Sequence, residues 1–494
     1  MDHLICGGYL FMNQDKTIAL IYPPGGLYQR GEDRCQSNIQ SSTATSVRAC
    51  NDLGYAASVL RKDNFNIFLK DYQTENLSLF DLINDLNIHK VDVIFMSITN
   101  ATIFKDLEIV NKVKELYKDL VIILKGAIFF NPEEDLLKQL DLKNVDYLIG
   151  GESDFIIGNL LKAHYENRDE LKNISGILYK ENNCWIKTKF DDWNTDLDSL
   201  PFPSRDLMEN KLYLRPDTKE VQATISTSRG CPSNCIFCLT PKISGRKLRL
   251  RSVENIYEEL YECYSKYNIR NFFFKSDTFT INKEWTIKLC NLIIDSPLQG
   301  KISWVANSRV NPIDKETLLK MKEAGCWLVA FGFESGSEKS LKLMKKGATL
   351  DQNLKAAKIA KEVGLLVYGF YLIGFPWEDK NDLEATKNLI FKNKADFIEL
   401  HIATPFYGTE LYNIAKNEGL IDESVLGKDY FNAPTVGTKT LSIDFIEKFR
   451  KHTLLQYHLQ PLYIFKKFAF AIFKPKVIFN YFYFGLKLIK NNLK

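Results

Sequence analysis

Three cysteines carry the densest chemistry in this sequence. Within ATISTSRGCPSNCIFCL (residues 223–239), three residues separate Cys231 from Cys235 and two separate Cys235 from Cys238. A run rich in Thr, Ser and Ile leads into them and predicts a strand, and helical period resumes near Ser252. The cysteines are therefore expected on a loop at the carboxyl end of a strand. Thiolates are soft ligands, and clustered cysteines outside a disulfide framework suit zinc or iron–sulfur. Zinc usually takes four ligands, and no second cysteine pair or nearby His supplies the fourth. Three cysteines can instead hold three irons of a four-iron cluster, leaving the last iron open to something that is not protein. An open iron is a place for chemistry rather than for electron storage alone. The competing reading is three unrelated buried thiols, which the tight spacing disfavours.

The elements around this loop repeat. From 221 to 420, strand candidates at 221–226, 271–277, 302–309, 327–334, 366–374 and 396–404 alternate with helical segments. In strand–helix barrels, functional groups gather at the carboxyl ends of the strands. After the cysteines, those ends carry Asp277 and Thr278, Asn307 and Arg309, and Glu334, Ser335 and Gly336. The last two carry Gly374, Phe375 and Pro376, then Thr404, Pro405 and Gly408. On strand 396–404, Phe397, Glu399, His401 and Ala403 share one face, opposite Ile398, Leu400 and Ile402. With the apolar set toward the helices, Glu399 and His401 point into the barrel. There they orient substrate or move a proton, or simply satisfy one another.

Residues 17–165 alternate as well. Strands TIALIY (17–22), NIFLKD (66–71), VDVIFMSIT (91–99), LVIILKG (120–126) and VDYLIGG (145–151) are each followed by a helix, the first near 48–62. Five such units argue a doubly wound parallel sheet, whose ligands sit beyond the carboxyl ends of the strands. Those ends hold Pro23–Gly26, Ser97–Asn100, Lys125–Gly126 and Gly150–Glu152, where small and hydroxyl residues let backbone approach a large, flat or phosphorylated ligand. ISGILYKENNCWIKT (174–188) reads as a hairpin, and LDSLPFPSRDL (197–207) as an extended linker.

The C-x3-C-x2-C loop, with Phe237 before its last Cys, resembles the radical SAM superfamily. GFESGS (332–337) and YLIGFPWED (371–379) resemble that family's segments near S-adenosylmethionine. YPPGG (22–26), LGYAASVLRKDNFNIFLKD (53–71), DVIFMSITNAT (92–102) and DYLIGGESD (146–154) resemble the cobalamin-binding domain that precedes some of its members. The resemblance implies a 4Fe-4S cluster on Cys231, Cys235 and Cys238, with S-adenosyl-L-methionine on its open iron. Arg309, Glu334, Ser335, Gly336, Gly374 and Pro376 are then the candidates for S-adenosylmethionine. Arg309 suits a carboxylate and Glu334 a ribose or the methionyl ammonium. Pro24, Gly25, Ser97, Thr99, Asn100, Gly126, Gly150, Gly151 and Glu152 are the candidates for cobalamin. Two departures stand out: no D-x-H-x-x-G loop offers a His to cobalt, and Lys125-Gly126 replaces the usual two glycines. The implied activity is methyl transfer to an unactivated carbon, or less often phosphorus, by a 5′-deoxyadenosyl radical and methylcobalamin. The alternatives are a cyclase or oxidoreductase of the same architecture without methyl transfer, and a non-catalytic iron–sulfur electron-transfer or sensor protein.

The expected class is α/β. A tail (1–16) precedes a Rossmann-like cobalamin-binding domain (17–169), a linker with a hairpin (170–220), a partial (β/α)6 barrel (221–420) and a helical region (421–494). At 494 residues and a net charge of +4, nothing global argues for nucleic acid. The other seven of ten cysteines are scattered and expected as small core or surface residues. No basic, apolar leader and no 18-residue uncharged apolar run stand in the sequence, so a cytoplasmic enzyme is expected. Its expected partners are a small-molecule or lipid-like substrate and an electron donor such as flavodoxin or ferredoxin. From Pro461 to Lys494 there are seven Lys, seven Phe and no Asp or Glu. That basic, aromatic tail predicts either a helical cap on the barrel or peripheral contact with the inner face of the membrane.

Overall fold

The computed structural model describes residues 16–30, 38–39, 47–421, 426–428, 436–472 and 475–493. The N-terminal tail and most of the irregular segment 28–47 lie outside them. Apolar runs with β-branched residues form the N-terminal strands: β1 (Thr17–Tyr22), β2 (Asn66–Asp71), β3 (Val93–Ser97), β4 (Val121–Lys125) and β5 (Tyr147–Ile149). They are parallel in the order β2-β1-β3-β4-β5. Both faces are covered by helices, as such sheets require. Ile18, Leu20, Val93 and Phe95 enter one core, and Ala19, Ile21, Ile94 and Met96 the other.

The hairpin expected in the connector belongs instead to this sheet. β6 (Ile177–Glu181) pairs antiparallel with β5, and β7 (Cys184–Lys187) completes seven strands. Ile177 and Tyr179 join one core and Leu178 the other, so the hairpin covers an edge that the three-residue β5 would leave open. The sheet therefore runs past residue 169.

The second sheet follows. Its strands are β8 (Gln222–Ser226), β11 (Asn271–Lys275), β12 (Ser303–Ser308), β13 (Cys326–Glu334), β14 (Leu366–Ile373) and β15 (Phe397–Ile402). A short ribbon, β9 (Ser228–Arg229) with β10 (Arg249–Leu250), interrupts the order after β8. All six long strands are parallel, in the order β15-β14-β13-β12-β11-β8. Ile398, Leu400 and Ile402 pack against the outer helices, and Leu328, Ala330, Tyr368, Phe370 and Phe397 cluster on the inner face.

Loops beyond the carboxyl ends of the two sheets meet. Phe406, Tyr412 and Ile421 pack on Ala101 and Tyr28, while Leu239 and Ile243 pack on Ala127. Helix Ile443–His458 runs along the barrel from Gly374, at the carboxyl end of β14, toward the opposite end, where helices Pro461–Ala471 and Pro475–Leu493 lie. Tyr457 donates to the Ala395 carbonyl at 2.5 Å and Tyr463 to that of Asp396 at 3.0 Å, both just ahead of β15. Pro461, which lacks an N–H, begins a new helix within the helical region expected over 421–494.

Candidate active site

The chain reaches the cysteine loop through Gly230, at φ +79°. A Cβ there would stand 2.2 Å from the Lys247 carbonyl oxygen, so only glycine makes this approach. Cys231 is buried, Cys235 and Cys238 are partly exposed, and none is in a disulfide. Between the last two, Ile236 is buried with Leu341, Met344, Phe375 and Leu411, and the Phe237 ring meets Phe375 edge-on at 5.8 Å. The Ile236 N–H donates to the Met344 carbonyl, and its carbonyl accepts from Leu411. This loop is rooted in the barrel rim. Its sulfurs stand among polar groups: Cys238 Sγ donates to the Thr240 hydroxyl at 3.2 Å and accepts from the Thr240 N–H at 3.4 Å, and Cys235 accepts from Arg309 Nη1 at 3.5 Å. Thr278 Oγ1 stands 3.9 Å from Cys231 Sγ. Among the described residues no three His, Cys, Asp or Glu side chains converge on a single ion. Cysteines that each bind a different iron of a cluster have no need to.

The structure brings Arg309 to this loop, its other nitrogen donating to the Lys346 carbonyl. Glu334, at φ +60° beside a bulge in β13, is buried and pairs with Lys346 Nζ at 2.5 Å. Gly332 leaves room for that pair, since a Cβ there would meet Glu334 Oε1 at 2.4 Å. Ser335 and Gly336 turn toward the helix Lys380–Asn393 instead. Ser335 shares a hydrogen bond with Thr386 at 3.0 Å, and a Cβ on Gly336 would stand 2.1 Å from the Ala385 carbonyl oxygen. Their smallness serves helix packing. Gly374, at φ +88°, donates its N–H to Glu378 Oε2 at 2.7 Å, and Phe375 donates at 3.2 Å. Pro376 is buried in the same turn, its carbonyl accepting from Lys439. Ser340 donates to Glu378 Oε1 at 2.6 Å. Burial pushes the Glu378 carboxyl up to about 7 against the pull of these hydrogen bonds. Glu378 and Lys346 were not legible as site residues; the only signal was a carboxylate four positions after a turn glycine.

Within the barrel, His401 Nε2 and Glu399 Oε2 stand 2.8 Å apart on the inner face, with Glu399 nearly buried. Arg48, from the N-terminal domain, lies over the Phe273 ring at 4.2 Å. A cleft lined by Tyr28, Arg30, Arg48, Asp52, Thr224 and Lys275 joins the two sheets. A second cleft runs from Lys275 past Asp277 and Thr240 beside the cysteine loop.

Residues 225–390 match the Radical SAM superfamily model. The uncharacterized methyltransferase PH0819 of Pyrococcus horikoshii is 31% identical over 415 residues, covering 84% of this chain and 88% of its own. This chain belongs to the radical SAM superfamily. Two solved structures share its fold beyond the barrel. TsrM of Kitasatospora setae, a radical S-adenosylmethionine methyltransferase with tryptophan and a SAM analogue bound, aligns with TM-score 0.64 at 16% identity. That alignment covers 83% of this chain and 78% of TsrM. OxsB, a cobalamin-dependent S-adenosylmethionine radical enzyme with aqua-cobalamin and S-adenosylmethionine bound, aligns with TM-score 0.71 at 16% identity. It covers 97% of this chain and 72% of OxsB.

In this radical SAM chain, the N-terminal strand ends are closely packed. Pro24 and Gly25 lie on the loop after β1, with Gly25 exposed. Ser97, at the end of β3, donates to Asp52 at 2.6 Å, and Tyr22 donates to the same carboxylate at 2.5 Å. Lys125, which departs from the glycine pattern, is drawn down onto Asp52 at 3.0 Å and does not stand out from the edge. Burial works to raise the Asp52 carboxyl, but Lys125, Ser97 and Tyr22 together hold it below its usual range. Thr99 bonds Thr102 at 3.0 Å, and the Asn100 carbonyl accepts from Gly427 at 2.8 Å. Gly126 and Gly150 fit against Ile98 and the Phe130 backbone, and Gly151 against Trp193. Glu152 is engaged elsewhere, in a two-pronged ion pair with Arg249 at 2.5 and 2.9 Å. Asp154 does the same with Arg229, two residues before Cys231, at 2.5 and 3.0 Å. All four side chains are buried, so they tie the N-terminal domain to the cysteine loop rather than standing free for a ligand.

Proposed function

We propose that this radical SAM enzyme is a cobalamin-dependent methyltransferase acting on an unactivated carbon or phosphorus centre. One observation carries the reading: loops beyond the carboxyl ends of the two sheets meet, and the cleft lined from both sheets shares Lys275 with a second that lies beside the three-cysteine loop. The donor set fits the groups. Cys231, Cys235 and Cys238 would hold three irons of a 4Fe-4S cluster. Arg309, Glu334, Gly374 and Pro376 line the rim where S-adenosylmethionine would lie, with Ser335 and Gly336 setting the backbone behind them. Pro24, Gly25, Ser97, Thr99, Asn100, Gly126, Gly150 and Gly151 border the edge for the corrin. Lys125, withdrawn onto Asp52, leaves that edge unobstructed, and Glu152 supports it from the domain junction. Once bound, these groups supply a hydrogen-abstracting carbon radical and a methyl group for transfer.

The residues of the chain do the rest. The buried Asp154–Arg229 and Glu152–Arg249 pairs fix the spacing between the two ligand-bearing edges, where small errors are costly in rate. Rim aromatics Phe406, Tyr407 and Tyr412 keep bulk water from the junction. Glu399 orients the His401 ring on the inner face, where the pair holds or moves a substrate proton. A small-molecule substrate, an electron donor such as flavodoxin or ferredoxin and a cytoplasmic location complete the proposal.

The test is anaerobic reconstitution with iron, sulfide and cobalamin, followed by labelled S-adenosylmethionine. Bound iron, sulfide and corrinoid, with release of 5′-deoxyadenosine, support the reading. Zinc in the cysteine loop overturns it, and iron–sulfur without corrinoid uptake removes the methyl-transfer half.

A further inference from the structure

The C-terminal helices present an apolar surface that the chemistry above does not use. Among the described residues, ten of the nineteen large apolar side chains that stand in solvent fall between Leu459 and Leu486. They are ordered, not scattered. Leu462, Phe465 and Phe468 recur along one face of the helix Pro461–Ala471. Phe479, Phe482 and Leu486 do the same on Pro475–Leu493, at the three- and four-residue spacing of a single stripe. Phe465 is 67% exposed and Phe479 74%. The opposite faces are engaged: Ala471, Val477 and Leu488 are buried, and Lys467 Nζ lies 3.7 Å over the Phe397 ring. Tyr463 and Asn480 donate to the carbonyls of Asp396 and Asp217, so the barrel and the segment leading into it hold both helices. The stripes therefore face outward in the folded protein. A contiguous, exposed apolar patch of this kind marks an interaction site.

Charge says which kind. The segment Pro461–Lys494 carries seven Lys and no Asp or Glu, with Lys466 and Lys490 exposed beside the stripes. A second copy of the same surface would bring like charges together with no counter-charge of its own. An anionic lipid surface supplies both an apolar layer for the Phe and Leu side chains and negative headgroups for the Lys rim. Neither helix is long and apolar enough to cross a bilayer, so both would lie along its surface.

We infer that helices Pro461–Ala471 and Pro475–Leu493 dock the barrel on an anionic membrane surface, with the face opposite the cysteine loop toward lipid. The test uses the full-length, anaerobically reconstituted protein and sedimentation with two kinds of vesicle: phosphatidylcholine alone, and phosphatidylcholine with phosphatidylglycerol. The expected result is at least about tenfold stronger partition onto the anionic vesicles, weakened by added salt. The quadruple variant Phe465→Ser, Phe468→Ser, Phe479→Ser, Phe482→Ser alters only exposed side chains. It should keep the wild-type circular dichroism and melting curve while losing at least about tenfold in partition. Wild-type protein that stays in the supernatant with anionic vesicles overturns the inference. So does a wild-type dimer in light scattering that the variant converts to monomer, because a second copy then covers this face.

Discussion

Lys125→Met probes the N-terminal strand edge directly. It removes the ammonium 3.0 Å from Asp52, where both side chains are at most 5% exposed. Ser97 and Tyr22 remain, but two neutral hydroxyls do not balance a buried carboxylate. Removing one partner of a buried pair costs about 3–5 kcal/mol. For a domain of this size each kcal/mol moves the melting temperature by about 2–4 °C, so a drop of about 10 °C is expected. The pH dependence sharpens the test. With Lys125 present, the Asp52 carboxyl is depressed, so its contribution is held at neutral pH and lost as pH falls through its folded value. Without Lys125, burial becomes the leading influence and raises the carboxyl, so stability is lost as pH rises through that raised value. The variant's deficit should therefore be larger near pH 8 than near pH 5. Differential scanning fluorimetry at both pH values reads it, and Asp52→Asn in the same chain should recover most of the loss. A drop under about 2 °C, or one that is equal at both pH values, would refute the charge-pair account.

Four further outcomes follow from the same geometry. Cys235→Ala should abolish S-adenosylmethionine cleavage and stable iron binding; chemical iron assay and 5′-deoxyadenosine release check it, and retained cleavage counts against the cluster. Glu378, raised to about 7, favours folding below the ordinary carboxyl range and loses that contribution as pH rises through about 7. Glu378→Gln should flatten the wild-type loss of up to about 3 kcal/mol between acid and alkaline pH, measured by urea titration. Gly336→Ala forces a Cβ against the Ala385 carbonyl and should cost about 1–3 kcal/mol, read as a lowered melting temperature. His401→Asn should leave folding intact and lower turnover by about a hundredfold or more if the pair moves a proton, seen as a fall in kcat. Unchanged turnover assigns the pair to internal hydrogen bonding.

Residue types and their period determined much of this protein. Alternating apolar strands and helical stretches were enough to predict two parallel sheets, because both-face burial writes continuous apolar runs into the chain. The cysteine loop was equally plain, since its three cysteines lie within eight residues. The inward pair Glu399 and His401 followed from the two-residue period of a strand. Only the tertiary structure decided where charge is buried and paired. Asp52 meets Lys125 across 73 positions, Glu152 meets Arg249 across 97, and Asp154 meets Arg229 across 75. No local pattern announces such partners, and the strength of each pair depends on exclusion of water that folding alone brings about. The same holds for the β6–β7 hairpin: its residues form a hairpin anywhere, but an open edge at β5 makes it part of the sheet.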